Sequence, residues 1–330
     1  MKNLPDKEYI ENKKAMTRLR ARRCIMVFLF VLLLPCCVSL LWSRDGGYAQ
    51  WMEESGLRDS RIMVRVESGS GELLMSMEEY LYGCLPTVIP GEYELECLKA
   101  QAVLMRTYLI GRYRETVEAG ESVVSEAEDT YFTRPQLKDL WGEEYAEKSE
   151  KIKQAVNETR GIYVTYEGMP IDACFFRVSA GRTRDGSEAL GQYMPYLKSV
   201  SCPKDYLSED YLTQISIKKK ELERITGGRW GEISRDSAGY CQSVFLYITN
   251  DTGEEEKLEK SGEWMRQKLM LPSAFFLIEE EKKNVVFTAK GMGHGLGMSQ
   301  FAANEMAMDG QDYNSILCYF FQNIALDKYE

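Results

Sequence analysis

Nineteen consecutive residues, 24 to 42 (CIMVFLFVLLLPCCVSLLW), carry no charge, and no other feature constrains this chain as strongly. At about 1.5 Å of rise per residue, such a run matches the roughly 30 Å hydrocarbon layer of a bilayer. Eight bases precede it (Lys2, Lys7, Lys13, Lys14, Arg18, Arg20, Arg22 and Arg23) against Asp6, Glu8 and Glu11. That excess of positive charge holds an N-terminus in the cytoplasm. The run exceeds the roughly 7 to 15 apolar residues of a secretory signal, and no small-x-small cleavage pattern follows it. Pro35 is tolerated in a membrane helix, and the bulky residues before Cys36 make a poor lipidation signal. The expected organisation is a cytoplasmic basic segment 1–23, a transmembrane helix 24–42, a polar stalk 43–60 and one exterior domain 61–330.

Beyond residue 23 the chain holds 33 basic and 48 acidic side chains, a net charge of −15. With no basic patch to offset it, that charge excludes a nucleic-acid partner. The chain has one histidine, and its cysteines lack CxxC-type spacing, so no zinc centre, metal or cofactor is expected. Carboxylate sites for hard cations stay open. Cys84, Cys97, Cys174, Cys202, Cys241 and Cys318 are spaced widely and irregularly in a domain large enough to fold without staples. No disulfide is assigned among them.

Short strands are expected at Ile62–Glu67, Leu73–Met77, Ile162–Tyr166, Pro170–Val178, Val244–Thr249 and Val285–Ala289, several alternating apolar with polar. Leu95, Leu98, Ala102, Met105 and Leu109 recur at alternating intervals of three and four, which predicts an amphipathic helix over Glu94–Arg112. Further helices are expected at Ser216–Ile225 capped by Ser216, Gly262–Leu269, Ser299–Met308, and Tyr313–Phe321 capped by Asp312. Irregular mixing of strands and helices predicts an α+β domain rather than repeated βαβ units.

The most unusual local sequence is Gly291 to Gln300 (GMGHGLGMSQ), where four glycines alternate around His294. Such freedom of φ lets backbone come close to a ligand and turn an imidazole into a cleft. The Lys-Ser/Thr ending of a phosphate loop is missing. Glu92, Glu94 and Glu96 lie near a loop-to-helix junction within Leu85–Glu96, where the macrodipole alone explains Glu94 and Glu96. The turn Ser179 to Thr183 (SAGRT) carries Arg182, which suits either a sugar or carboxylate contact or the closing of a hairpin. Tyr193, Tyr196, Trp141 and Trp230 suit either sugar stacking or packing. A Cys174–His294 hydrolase pair is a remote option, since Cys174 sits in a strand-like run.

These stretches, in this order behind one N-terminal anchor, resemble the stage II sporulation protein D and amidase-enhancer family. Glu96 to Val103 (ECLKAQAV) with Arg106 to Tyr108 (RTY) is similar to the family's Glu-Ala-Leu-Lys-Ala-Gln-Ala helix and Arg-Thr-Tyr. Cys174 to Thr183 (CFFRVSAGRT), followed by Pro195, Tyr196, Leu197 and Val200, resembles its Phe-Phe-x-x-Ser-x-Gly-Arg-Thr segment. Gly293 to Gln300 matches its Gly-His-Gly-x-Gly-Met-Ser-Gln hallmark.

The resemblance implies an exterior, membrane-tethered protein acting on peptidoglycan during engulfment, with glycan strands as partner and other sporulation membrane or wall-hydrolase proteins as further partners. It implies a binding cleft involving Lys99, Gln101, Arg106, Ser179, Arg182, Thr183, Gly293, Gly295, Ser299 and Gln300. It also implies lytic transglycosylase chemistry, in which an acidic side chain protonates the glycosidic oxygen and the C6 hydroxyl closes a 1,6-anhydro ring. Aligning on Pro90 and Glu96 puts the family's acid at Val88, which cannot transfer a proton. Losing a positioned general acid costs about 10² to 10⁴ in rate. Glu92, by a bend at Gly91, and His294, with an unperturbed pKa of about 6.5, are the candidate replacements. The alternative is a non-catalytic wall-binding or amidase-modulating module. Ala180, Met292 and Phe301-Ala302 are smaller departures from the family pattern.

Overall fold

The computed structural model describes residues 62–68, 71–249 and 254–329. The apolar run 24–42 and the stalk 43–60 lie outside them, and among the described residues no helix is long and apolar enough to cross a membrane. Their secondary structure is mixed α+β, as the sequence pattern predicts.

The described chain opens with an antiparallel hairpin of β1 (Met63–Ser68) and β2 (Gly71–Ser76), and β3 (Val123–Glu126) pairs in parallel with the other edge of β1. β2 runs directly into α1 (Met77–Val88). Ser76 fixes that start: its hydroxyl accepts from the Glu79 amide while the Glu79 carboxylate accepts from the Ser76 amide. Leu85–Val88, read as part of a loop, is therefore the last turn of a helix, with Pro86 inside it.

The central element is α2 (Leu95–Glu118), longer than the sequence reading by six residues at its C-terminal end. It is not amphipathic where it matters. Residues 97–107 are all buried, the polar Lys99, Gln101, Arg106 and Thr107 among them. The cause is that α1, α4 (Tyr145–Glu158), α8 (Gln300–Met308), α9 (Tyr313–Phe320) and β4 (Ile162–Tyr166) surround the helix. Ahead of α4 lies the short α3 (Arg134–Trp141). β4 sits between β5 (Met169–Pro170) and β14 (Ala325–Lys328), antiparallel to both.

The single strand expected at Pro170–Val178 is instead two fragments, β5 and β6 (Phe175–Phe176). Among the described residues β6 has only β13 (Met298–Ser299) beside it, in parallel, and the remaining backbone pairs irregularly with the glycine-rich loop. After α5 (Gly186–Leu190) comes a β-rich half. There β7 (Leu212–Lys218), β11 (Phe276–Glu280) and β12 (Asn284–Lys290) form one antiparallel sheet; β8 (Arg229–Arg235), β9 (Cys241–Thr249) and β10 (Glu255–Ser261) form another. Val244, Phe276, Phe287 and Val285 build its core with Leu222 of α6 (Lys219–Thr226) and Met265 of α7 (Gly262–Lys268). The helix expected to begin at Ser216 begins at Lys219: the alternation of Ile215 and Ile217 continues β7, and Ser216 pairs with Val286. The Asp312 cap forms as expected, accepting from the Ser315 amide, and Ser299, expected as the first helical residue, is instead the cap of α8, accepting from the Ala302 amide.

Candidate functional site

The glycine-rich loop joins β12 to α8 and lies along residues 174–178. Met292 and Val178 exchange backbone hydrogen bonds of 2.8 and 3.1 Å, and the Met298 amide donates to the Cys174 carbonyl at 3.0 Å. Gly293 and Gly297 have φ of 112° and 77°; a Cβ on Gly293 would stand 2.7 Å from the Phe176 Cβ, and one on Gly297 would overlap the Cys174 carbonyl. The close backbone approach read from the alternating glycines exists, but to the chain's own strand.

His294 is half-buried, its ring 5.7 Å from that of Phe176. Its Nδ1 accepts from the Leu296 amide at 3.1 Å. Burial pushes the imidazole pKa down, against the raising effect of Glu263, so the ring is neutral at pH 7. Burial likewise pushes the Cys174 thiol up to about 11, which removes the thiolate that a Cys–His pair would need.

Two adjacent residues at the end of the loop bring the three motifs together. The Ser299 hydroxyl donates to Asp205 Oδ2 at 2.8 Å, and the Ser179 amide donates to the same oxygen at 2.7 Å. Gln300 donates from Nε2 to the Val88 carbonyl at 2.8 Å and to Gln101 Oε1 at 3.0 Å. Asp205 is fully buried, and burial raises its pKa against the hydrogen bonds from Ser179 and Ser299. Sequence reasoning missed it because nothing local marks it.

Most of the side chains implied by the family resemblance are enclosed. Gln101, Arg106, Ser179 and Ser299 are 0% exposed, and Thr183, Gln300 and Lys99 are buried. Arg106 makes a two-pronged contact with Glu78 at 2.8 Å on each prong and donates to the carbonyls of Val156 and Ile162. Lys99 pairs with Glu96 at 2.6 Å and Glu158 at 2.5 Å. Thr183 Oγ1 accepts from the Val200 amide, and Gly295 offers its carbonyl to the Arg184 amide. The enclosed side chains brace the site and have no surface for a polymer to touch. Arg182 is exposed, with Nε donating to Ser199. Gly293 is only partly covered.

Surface is available instead beside Val88, in a groove of about 360 Å³ lined by Val88, Pro90, Glu92, Trp141, Lys148 and Arg177. The indole of Trp141 covers Gly91, where a Cβ would meet it at 3.1 Å. Arg177 Nε donates to Asp210. Lys148 bonds Glu92 at 3.2 Å and Glu144 at 2.9 Å. Slight burial raises the Glu92 pKa, but its own backbone amide and Lys148 outweigh that and hold it below the usual carboxylate range. A carboxylate stabilised in its charged form is a poor proton donor. Glu92 and His294 are not brought together, since His294 does not line this groove. The groove residues that sequence reasoning passed over are Lys148 and Arg177, and only Arg177 lay inside a quoted motif.

Residues 73–166 match the family model described as stage II sporulation protein. The chain is 32% identical over 288 residues to stage II sporulation protein D of Bacillus amyloliquefaciens, covering 83% of this chain and 81% of that protein. Against stage II sporulation protein D of Bacillus subtilis it is 32% identical over 263 residues, 76% of this chain and 74% of the relative. It is also 25% identical over 301 residues to the amidase enhancer of Bacillus subtilis, spanning 76% of this chain and 40% of that protein.

Proposed function

Because this chain belongs to the stage II sporulation protein D family, we propose that it is a membrane-anchored sporulation protein that binds peptidoglycan glycan strands in the groove beside Val88. The observation that carries this reading is the groove itself. The joint built by Ser179, Asp205, Ser299 and Gln300 ends on the Val88 carbonyl and holds one wall of an open channel. Along that channel an indole offers a flat apolar face to a sugar ring, and Lys148 and Arg177 offer cationic donors to the carboxylates and acetamido oxygens of a muramyl polymer. The anchor is the uncharged run 24–42, which puts the groove outside the cell membrane.

Catalysis is not supplied by the residues first named for it. Val88 has no proton, Glu92 is held ionised by Lys148, and His294 is neutral and turned to Leu296. The binding reading is tested by sedimenting the detergent-solubilised full chain with purified sacculi. Wild type and a Lys257→Ala control on β10 co-sediment, whereas Trp141→Ala lowers the bound fraction several-fold. Equal sedimentation of Trp141→Ala and wild type sinks the assignment of this groove.

A further inference from the structure

We propose that Glu126, at the end of β3, is the proton donor of this chain, acting from a second cavity behind Val88 on a glycan strand seated in the groove. The inference rests on the glycan-binding reading and deepens it. The cavity, about 350 Å³, is lined by Tyr80, Cys84, Thr87, Val88, Tyr108 and Glu126 among others. Thr87 and Val88 line both this cavity and the groove, so the two spaces adjoin at the position from which the family's acid is missing. A carboxyl arriving from β3 thus lies in a space that position 88 itself lines. The volume falls within the about 300 to 1,000 Å³ of small-ligand sites.

The state of that carboxyl suits a donor. Its Oε1 is buried and, among the described residues, has no hydrogen-bond partner. An ionised oxygen so placed is costly, and protonation relieves the cost. Burial raises the Glu126 pKa, against the lowering effects of Arg112 and of a hydrogen bond from Tyr108. The other titratable groups facing it are Tyr80 and Cys84 from α1 and Asp129 from the turn after β3. Burial pushes the Cys84 thiol up to about 12 and the Tyr80 phenol higher still, and the Tyr80 hydroxyl is committed to Thr130 Oγ1 at 2.8 Å. Neither competes as an acid at neutral pH, and Asp129 is exposed rather than enclosed with Glu126.

In the step, the Glu126 proton passes to the glycosidic oxygen that follows a muramic residue, and the C1–O bond breaks to leave the next sugar as an alcohol. The C6 hydroxyl of the same muramic residue then bonds C1, and its proton returns to the Glu126 carboxylate. No water, metal or second substrate is consumed. Glu126 ends the cycle as it began.

The test incubates the detergent-solubilised full chain with denuded glycan strands at about pH 5 to 8 and counts 1,6-anhydro ends by mass spectrometry. Wild type forms them, more slowly as pH rises and Glu126 loses its proton. Glu126→Gln lowers the rate by about 10²-fold or more, and Val88→Glu added to Glu126→Gln restores product, which an unfolded variant could not do. Undiminished product from Glu126→Gln overturns the proposal. A wild-type chain that sediments with sacculi yet makes no anhydro ends overturns it while leaving glycan binding intact. A chain that neither sediments nor cleaves overturns both.

Discussion

The joint at Ser299–Gln300 and the groove beside Val88 share one hydrogen bond, from Gln300 to the Val88 carbonyl, and otherwise differ in kind. In the joint, Ser179, Ser299 and Gln101 are sealed from solvent; Ser179 and Ser299 both donate to Asp205 Oδ2 and Gln300 donates to Gln101 Oε1, while Gln101 Nε2 and Asp205 Oδ1 have no partner among the described residues. In the groove, Glu92, Lys148 and Arg177 keep surface, and their ion pairs are partly or largely exposed. Buried polar networks specify one geometry because each lost partner is costly, whereas exposed pairs contribute little to stability and are free to exchange partners. The residues most specific to the family motifs therefore hold the site in shape, and residues mostly outside those motifs line the open groove.

The largest way to break this contrast is Arg106→Ala, which strands the Glu78 carboxylate in the interior. The expected loss is about 3 to 5 kcal/mol in denaturant unfolding, and a loss under about 1 kcal/mol would mean that the α2 interior is not the scaffold described. Next comes Gln300→Ala, which deprives the Gln101 amide oxygen and the Val88 carbonyl of their shared donor. About 1 to 3 kcal/mol should disappear, with sacculus sedimentation falling in parallel because the groove wall is released. Arg177→Ala should invert that pattern. Its pair with Asp210 is half-exposed, so unfolding moves by no more than about 1 kcal/mol, while the bound fraction falls by about tenfold if one charged hydrogen bond to the glycan is lost.

Glu92→Gln is the smallest effect. The Glu92 side chain is 64% exposed in its pair with Lys148, so the stability difference stays under about 1 kcal/mol. Because the folded pKa lies below the unfolded value, Glu92 contributes stability above that unfolded value, and the contribution fades as pH falls through the folded one. Melting wild type and Glu92→Gln in parallel should show their small gap closing in acid. A gap that widens in acid reverses the assigned sign.

What the sequence disclosed follows the range of the interactions involved. The Asp312 cap acts over three residues and was legible, as was the start of α8 to within one residue of its Ser299 cap. The glycine alternation announced a backbone needing positive φ, though not that the neighbour was residues 174–178. Arg106 was read as a ligand contact because its partners, Glu78 and the Ile162 carbonyl, are 28 and 56 positions away. Asp205 is 94 positions from Ser299 and carries no local pattern at all. The burial of Glu126 arises from α1 and α2 closing over β3, a packing event that no spacing in the strand reports. Val88 was legible only as a departure from the family pattern; the groove beside it arises from Trp141, Lys148 and Arg177, which come from distant stretches of chain.

The most direct measurement is amide hydrogen exchange of the full chain in detergent, with and without purified glycan oligosaccharides. The account predicts added protection at 86–92, 141–148 and 177 and none along β10. Protection confined to another described groove, the one lined by Arg112, Arg114, Met169 and Asp172, would contradict it.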